Sequence, residues 1–448
     1  MSTLLPETAR ALRHRLAIAQ TTGRAPSATA AVVRDDDTVW AESHGDGGGP
    51  DVQYRIGSLT KTFTTILVLR LRDEGRLALT DRLDDHLPGT AAGDATIAAL
   101  LGHTAGLRSE PPGPWFERNP AISEILAEDP YAHPPGALFH YSNPGFALIG
   151  ALVERLRGEP WEQALRDEVL TPLGMSRTTG SATAPHAAGW AVHPWADVLM
   201  PEPATDLGPM APAGQLWSTT ADLARFALFL LNGDDRVLRS ESLAEMRRPA
   251  SPPEAARWDM GYGLGTQLLR HENRLLAGHT GSVPGFVATL WVGHDDGVGA
   301  VVLANTTAGF PVATLAADLI RVVAEKEPRI PAPWRPLRSV DPDILELAGP
   351  WFWGPAPYLL KPLEDGRLEL SPLAGGRIRF HPDGAGRWVG QNGYFHGERL
   401  TVERDETGAV THLDVGTFVF TRRPYDPGTV IPGGVDPAGW RAGGAVVP

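Results

Sequence analysis

Apolar residues recur at helical spacing in several stretches of the N-terminal part of the chain. Phe63, Leu67 and Leu71 fall on one face of a stretch that starts at Ser58, and Gly75 is a typical stop signal at its end. Three other stretches show a similar spacing. The predicted helices are an amphipathic surface helix within residues 1–22 and the segments Ser58–Glu74, Gly145–Leu156 and Thr220–Leu231.

Short β-type runs lie among these helices. Thr29–Arg34 and Thr38–Glu42 flank three aspartates, which predicts two strands joined by a tight turn. Two further strands are predicted at Ala288–Val292 and Ala300–Leu303. Helices interleaved with strands near both ends of this region predict an α/β (α+β) sandwich, in which an antiparallel sheet is flanked by helices and accompanied by a helical subdomain.

The last quarter of the chain has a different pattern. The segment 328–342 is rich in proline and predicts a linker between residues 1–327 and residues 343–448. Beyond it, Asp365-Gly366 and Asp383-Gly384 separate short alternating runs, as hairpin turns do. Strands are predicted at Arg367–Leu370, Arg399–Glu403 and Thr417–Thr421. We therefore predict a small all-β domain, followed from Tyr425 by a Pro/Gly-rich stretch that lies over a surface.

Composition and charge exclude several classes of function. The formal net charge of -13 argues against nucleic acid as a partner, since such binding rests on neutralising phosphates. The absence of cysteine excludes disulfides, thiolate metal sites and a cysteine nucleophile. No apolar stretch approaches the roughly 18 residues that span a bilayer, and the first helix lacks the apolar core of a signal peptide. These features predict a cytoplasmic protein that binds neither membrane nor nucleic acid.

The first candidate for chemistry is the pair Ser58 and Lys61. A serine at a helix start lies near free N–H groups and the positive end of the helix dipole. Lys61 lies one turn along on the same face, and a buried lysine sheds its proton readily, so its neutral amine can act as a base toward the serine. The other lysines are only Lys326 and Lys361, which makes the pairing informative. The alternative is an ordinary helix start with a surface lysine.

Tyr141 and Asn143 form a second motif, directly before Pro144. A tyrosine whose phenolate is stabilised by a nearby cation can relay protons between a nucleophile and a leaving group. An asparagine amide can hold both a lysine and a substrate carbonyl. The alternative is a buried tyrosine beside a helix cap, which is the commoner origin of such a pair.

A third motif, from His279 to Ser282, lies at the entry to a predicted strand. Gly281 allows a close backbone approach, and the N–H of Ser282 can donate to a ligand if the strand lines a cleft. Together with the N–H of Ser58 it would form the two-donor oxyanion hole that acyl transfer needs. A turn with a hydrogen-bonded histidine is the alternative.

In this order, the motifs Ser-x-x-Lys, Tyr-x-Asn and His-Thr-Gly resemble those of the penicillin-recognising serine hydrolases, which include class C β-lactamases, D,D-carboxypeptidases, D-aminopeptidases and related esterases. The resemblance extends over roughly residues 25–325. Gln215 stands where the family usually has glycine, so we expect a different pocket wall there. His279 replaces the lysine of β-lactamases, which argues against an antibiotic-degrading enzyme. His103 lacks the His-Glu-x-x-His context of a zinc site and predicts a structural turn.

The resemblance implies a two-step acyl-enzyme mechanism that needs no cofactor and no metal. Ser58 attacks a carbonyl while Lys61, assisted by Tyr141, takes its proton, and Tyr141 with His279 nearby protonates the leaving group and activates the second nucleophile. The implied catalytic residues are Ser58, Lys61, Tyr141, Asn143 and His279, with Ser58, Thr280, Gly281, Ser282 and Trp217 at the oxyanion and substrate-binding side.

The overall layout resembles the penicillin-binding-protein-type thioesterases. These stand-alone enzymes take a nonribosomal peptide from its carrier protein and close it into a macrocycle, and they carry a small C-terminal lipocalin-like β domain. The resemblance implies a peptidyl thioester as substrate and a peptidyl carrier protein as partner. Two alternatives stay open: an intracellular D-aminopeptidase or carboxylesterase that acts on a peptide or ester, as His279 suggests, and a non-catalytic penicillin-binding-type sensor.

Overall fold

The computed structural model describes residues 4–113, 129–250, 259–384 and 386–425. The chain forms two compact units, residues 1–330 and 331–448, which divide inside the proline-rich segment.

The first unit contains the helices α1 (Pro6–Thr22), α2 (Thr60–Asp73), α3 (Ile97–Leu101), α4 (Asn143–Arg157), α5 (Trp161–Leu165), α6 (Ala211–Gly214), α7 (Thr220–Asn232), α8 (Ser240–Met246) and α9 (Val312–Lys326). Its strands are β1 (Ser27–Arg34), β2 (Asp37–Gly45), β3 (Tyr54–Arg55), β4 (Trp190–Val192), β5 (Leu199–Pro201), β6 (Trp217–Ser218), β7 (Met260–Tyr262), β8 (Gln267–His271), β9 (Arg274–Val283), β10 (Phe286–Gly293) and β11 (Val298–Ala304).

An antiparallel sheet in the order β2-β1-β11-β10-β9-β8-β7 forms the centre of this unit. Side chains alternate between its two faces, as the pleat of a strand requires. In β1, Ala30 and Val32 pack with residues of α1 and α9, whereas Ala31 and Val33 pack with residues of α2 and α7. Both faces are therefore covered by helices, and β1 and β11 are buried along almost their whole length.

Helix α2 lies inside the first unit and is buried from Thr60 through Leu69. Its threonine hydroxyls are hydrogen-bonded: Thr62 donates to the carbonyl of Gly265, and Thr64 donates to that of Pro212. Phe63 stacks on Phe226 of α7, with 3.8 Å between ring centroids. Buried polar groups with partners and close ring packing give this helix one well-defined position.

The second unit is a closed antiparallel barrel preceded by a short helix. Its interior holds Trp351, Phe380 and Phe420, all fully buried. Each strand pairs with the next, and the last pairs with the first, so the barrel has no open edge. The elements are α10 (Pro342–Leu345), β12 (Gly349–Trp353), β13 (Ala356–Pro362), β14 (Leu368–Pro372), β15 (Ile378–Pro382), β16 (Arg387–Gly390), β17 (Arg399–Arg404), β18 (Val410–Val415) and β19 (Phe418–Thr421).

These elements confirm the predicted fold class: an antiparallel sheet flanked by helices, followed by a small β domain. The two Asp-Gly turns join β13 to β14 and β15 to β16, as predicted. One helix start differs, since a separate helical turn, Gly57–Leu59, precedes α2. The predicted surface stretch after Tyr425 lies outside the described residues. Among the helices that the structure describes, none is long and apolar enough to cross a membrane.

Candidate active site

Ser58 lies in the helical turn that leads into α2, and Lys61 lies in the first turn of α2. The Lys61 side chain is 0% exposed, whereas Ser58 is half-buried. Lys61 Nζ is 3.0 Å from Ser58 Oγ. Because Lys61 is buried, the alternative of an ordinary helix start with a surface lysine does not hold.

Lys61 Nζ has two further partners, the Oδ1 of Asn143 at 2.7 Å and the carbonyl of Ala213 at 2.8 Å. Both of these oxygens can only accept hydrogen bonds, whereas the hydroxyl of Ser58 can also donate one. A neutral amine has two N–H groups and one lone pair. In the resting arrangement Nζ donates to all three oxygens, and loss of one of its protons would leave a lone pair directed at the Ser58 hydroxyl.

Strand β9 passes directly behind Ser58. A β-carbon on Gly281 would lie 1.8 Å from the carbonyl oxygen of Ile56 and 3.2 Å from the nitrogen of Ser58. A β-carbon on Gly57, whose φ is +51°, would lie 2.7 Å from the nitrogen of Ser282. Only glycines permit this approach, which brings the backbone nitrogens of Ser58 and Ser282 together, as the oxyanion hole requires.

Tyr141 lies beside this pair, with its ring centroid 4.8 Å from Lys61 Nζ. Burial raises the pKa of Tyr141 well above its usual range; the neighbouring Ser58 hydroxyl opposes this rise, and the charge of Glu110 adds to it. The buried hydroxyl of Tyr141 makes no well-directed hydrogen bond with a described group. The predicted phenolate is therefore not the resting form, because the lysine approaches the ring and the hydroxyl is desolvated. The group that faces Ser58 is a neutral phenol.

Asn143 is the first residue of α4, and the hydroxyl of Ser142 caps that helix by accepting from the N–H of Gly145. The Oδ1 of Asn143 accepts from Lys61, and its Nδ2 donates to both carboxylate oxygens of Glu110, at 2.9 and 3.0 Å. These bonds fix which way the amide points. The amide therefore orients Lys61 through Oδ1 and directs Nδ2 at Glu110, and its predicted hold on a substrate carbonyl stays a prediction.

His279 lies in β9, with its ring centroid 6.3 Å from that of Tyr141. Its side chain is 0% exposed, with Nε2 3.0 Å from the hydroxyl of Tyr262 and Nδ1 2.5 Å from the carbonyl of Thr280. Burial lowers its pKa to about 3, and the charge of Lys61 adds to this. His279 is thus a neutral imidazole with both ring nitrogens engaged. Its predicted action with Tyr141 on the leaving group stays a prediction.

Two residues predicted on the substrate-binding side also have structural partners. Trp217 is 4% exposed and packs edge to face on Phe286, with 5.2 Å between ring centroids. Its place on the substrate-binding side stays a prediction. Thr280 is half-buried, and its N–H and hydroxyl both donate to Oε1 of Gln267. The Thr280 side chain therefore fixes the bend of β9 against β8.

Gln215 builds a different pocket wall from the glycine usual at this position. Its Oε1 accepts from the N–H of Leu207 at 2.9 Å, and its Nε2 donates to the carbonyl of Gly180 at 2.9 Å. The side chain is 8% exposed. It connects two loops beside the fully buried side chain of Arg55.

The comparison with protein families decides the identity of the first unit. The family model described as Beta-lactamase matches residues 9–325. The chain belongs to the beta-lactamase family. It is a serine hydrolase of this family, and the resemblance found in its motifs is confirmed. Residues 340–422 match a family described as a domain of unknown function, DUF7586.

Individual relatives agree with this assignment. The chain is 31% identical over 329 residues to penicillin-binding protein 4 of Amycolatopsis lactamdurans, which covers 67% of this chain and 84% of the relative. The structure of a D-stereospecific amidohydrolase from Streptomyces sp. is 27% identical, with a TM-score of 0.60, and covers 71% of this chain and 98% of that one. The structure of SurE is 23% identical, with a TM-score of 0.58, and covers 93% and 99%.

Within this family fold, the geometry supports one kind of chemistry. Ser58 has a base at 3.0 Å, a phenol beside it and two backbone nitrogens where an oxyanion would form. Within the described part of the chain, no group of three or more histidine or acidic side chains could hold a metal ion. The arrangement suits nucleophilic attack on an acyl carbonyl and transfer of the acyl group to a second nucleophile.

Sequence reasoning missed Glu110 and Tyr262. Glu110 is an exposed carboxylate that fixes the amide of Asn143, and Tyr262 is a buried phenol that contacts two histidines. Neither lies within one of the three motifs. The one available signal was His103, which the sequence placed in a structural turn; it lies there with φ +56° and also contacts Tyr262.

Proposed function

We propose that this protein takes a peptidyl group from a thioester, holds it as an ester on Ser58, and passes it to the amine at the other end of the same peptide. The observation that carries the acyl-enzyme step is the 3.0 Å contact between Lys61 Nζ and Ser58 Oγ at the glycine-lined end of β9. The ring-closing step is supported by the layout, in which a hydrolase unit precedes a closed eight-stranded barrel.

The first step forms one bond and breaks another. Ser58 Oγ bonds to the thioester carbonyl carbon while Lys61 takes its proton, and the carbon–sulfur bond breaks to release the thiol. The N–H groups of Ser58 and Ser282 stabilise the oxyanion that forms between these events. In the second step the peptide amine attacks the carbonyl carbon of the Ser58 ester, the carbon–nitrogen bond forms and the bond from that carbon to Ser58 Oγ breaks. The proton that the amine loses passes to Ser58 Oγ through Lys61 and Tyr141.

Two similarities support a peptide with D-residues as the donor. The structure of SurE covers both units of this chain and has also been determined with D-Leu. The Streptomyces amidohydrolase, which covers the first unit, is described as D-stereospecific. We infer that the acyl residue attached to Ser58 is a D-amino acid, carried in the peptide by a carrier protein in the cytoplasm.

A synthetic linear peptide thioester with a D-residue at its C-terminus tests this function. We expect a cyclic product that is lighter than the linear acid by one water molecule, and an acyl adduct on the intact protein. Ser58→Ala abolishes both. Linear acid as the sole product across varied peptides would contradict ring closure and leave a hydrolase.

The second candidate is a D-specific amidase or esterase, favoured by the 27% identity to the D-stereospecific amidohydrolase. It differs in the second nucleophile, which is water. Turnover of D-aminoacyl amides, with no capture of the acyl group by added amines, would support this candidate over the cyclase. The enantiomeric L-amides are the matched control.

A further inference from the structure

Three buried rings lie behind Tyr141 and take no direct part in the chemistry described above. The hydroxyl of Tyr262 is 3.2 Å from Nε2 of His103 and 3.0 Å from Nε2 of His279. None of the three side chains is more than 2% exposed. Burial lowers the pKa of both histidines and raises that of Tyr262, so all three are neutral near pH 7.

Backbone groups at the two ends decide the direction of every hydrogen bond in this chain of rings. The N–H of Ser142 donates to Nδ1 of His103 at 3.0 Å, so a neutral His103 carries its proton on Nε2. That N–H then donates to the Tyr262 oxygen, and the Tyr262 hydroxyl donates to Nε2 of His279. His279 carries its own proton on Nδ1, 2.5 Å from the carbonyl of Thr280.

A chain that begins at a backbone N–H and ends at a backbone carbonyl differs from a relay with a titratable group at its end, because neither end takes up or releases a proton near pH 7. Each ring nitrogen and the hydroxyl has a partner. The chain can therefore hold its two ends at a fixed separation while all three rings stay neutral.

Both ends of the chain belong to the active site. Ser142 lies between Tyr141 and Asn143, and Thr280 lies two residues before Ser282. The His103 ring also packs on that of Tyr141, with 4.1 Å between centroids and a tilt of 33°. His103 has a φ of +56°, a left-handed conformation that a residue with a side chain keeps only where its surroundings impose it.

We propose that Tyr262 is a positioning residue for acyl transfer, because its hydroxyl joins His103 to His279 and thereby fixes Tyr141 relative to the oxyanion donor Ser282. Among the described groups that face this hydroxyl are His103, His279 and, at 6.3 Å between ring centroids, Tyr141. This inference rests on the acyl-enzyme step of the proposed function and holds whichever nucleophile follows.

Tyr262→Phe removes the hydroxyl and keeps the ring. With an activated aryl ester as substrate, we expect kcat to fall about 100-fold, as a misplacement of about 1 Å does, while KM stays within about twofold. Tyr54→Phe is the matched control, because Tyr54 is also fully buried and its hydroxyl bonds to Ser27 Oγ at 2.8 Å. A fall in kcat no larger than that of Tyr54→Phe would overturn the proposal.

A measurement on the unmodified enzyme tests the chain without a variant of Tyr262. Ring ¹⁵N shifts at pH 7 should show the proton on Nε2 in His103 and on Nδ1 in His279, with signals assigned from His103→Gln and His279→Gln. The same tautomer in both rings, or a charged ring, would overturn the proposal. Absence of an acyl adduct on Ser58 would contradict the proposed function instead. The tautomers of His103 and His279 would still decide whether the three rings are hydrogen-bonded in the proposed directions.

Discussion

Two buried polar clusters lie close together in the first unit and have different roles. The Lys61 cluster consists of Lys61, Ser58, Asn143 and the Ala213 carbonyl, and the ring chain consists of His103, Tyr262 and His279. The first contains a hydroxyl that is open to the cleft and can change partner. The second ends in backbone groups on both sides.

The difference shows that closeness to a nucleophile does not make a side chain catalytic. What matters is whether a proton can move and where it would go. Lys61 has two acceptor-only partners and one hydroxyl, which leaves a place for the proton of Ser58. His279 accepts from the Tyr262 hydroxyl at one nitrogen and donates to the Thr280 carbonyl at the other, so both ring nitrogens are engaged.

The largest effect is expected where the proton acceptor itself is removed. Lys61→Arg keeps a cation at this position but cannot provide a neutral base, since arginine stays protonated. We expect acylation of Ser58 to slow by about 10³- to 10⁴-fold, measured as the rate of adduct formation by intact mass. Lys326→Arg, an exposed substitution in the same unit, should leave the rate unchanged. Comparable rates in both variants would show that Lys61 is not the base.

Tyr141→Phe should separate two kinds of leaving group. An amine must be protonated as it leaves, whereas a thiolate leaves without a proton because thiols are far more acidic. We expect turnover of an amide donor to fall about 100-fold and acylation by the matching thioester to fall much less. Equal losses for the two donors would mean that the phenol acts on the nucleophile alone.

The ring chain predicts acid sensitivity of the fold. His279 has a pKa of about 3 when folded and an ordinary one near 6.5 when unfolded, so the unfolded chain binds the proton first as the pH falls. The stability is complete above about pH 6.5 and is lost progressively toward pH 3, by about 2 kcal/mol at pH 5 for His279. Denaturant unfolding at pH 7 and pH 5 measures this loss. His279→Gln should show a smaller difference between the two pH values.

The smallest effect is expected at Glu110, whose carboxylate accepts from the Asn143 amide that contacts Lys61. Glu110→Ala removes both acceptors of the Asn143 amide, and we expect kcat to fall about tenfold, equivalent to about 1.4 kcal/mol. Glu110→Gln should retain more activity, because its amide oxygen can still accept one hydrogen bond. Glu406→Ala in the second unit is the exposed control. If Glu110→Gln is as impaired as Glu110→Ala, the carboxylate charge matters more than the orientation of Asn143.

Local sequence patterns were sufficient to predict several helices, the turns of the barrel and the pairing of Ser58 with Lys61. Helices α2, α4 and α7 follow from apolar spacing and end signals, and the barrel turns follow from the Asp-Gly pairs. Ser58 and Lys61 could be paired because they lie three positions apart, about one helical turn. In each case the information lies within a few neighbouring residues, where sequence and geometry are directly linked.

The rest depends on contacts between distant segments. The burial of His279 depends on Tyr262 and on His103, which is 176 positions away in a different part of the fold. Glu110 reaches Asn143 across 33 positions. The three motifs predict which residues lie close together. They do not show which of those side chains are buried by other segments of the chain. For this reason the burial of His279 and Trp217 could not be predicted from the motifs.

The contact between Gly57 and Gly281 has a consequence for redesign. Because any side chain at either position would collide with the opposite backbone, a substitution there would force the strand and the helical turn apart. The spacing between the backbone nitrogens of Ser58 and Ser282 therefore cannot be adjusted by substitution at these two glycines without separating the two segments. Altered substrate preference has to be sought in the surrounding loops, such as the one that Gln215 holds, where a change of side chain can reshape the entrance and leave the catalytic spacing intact.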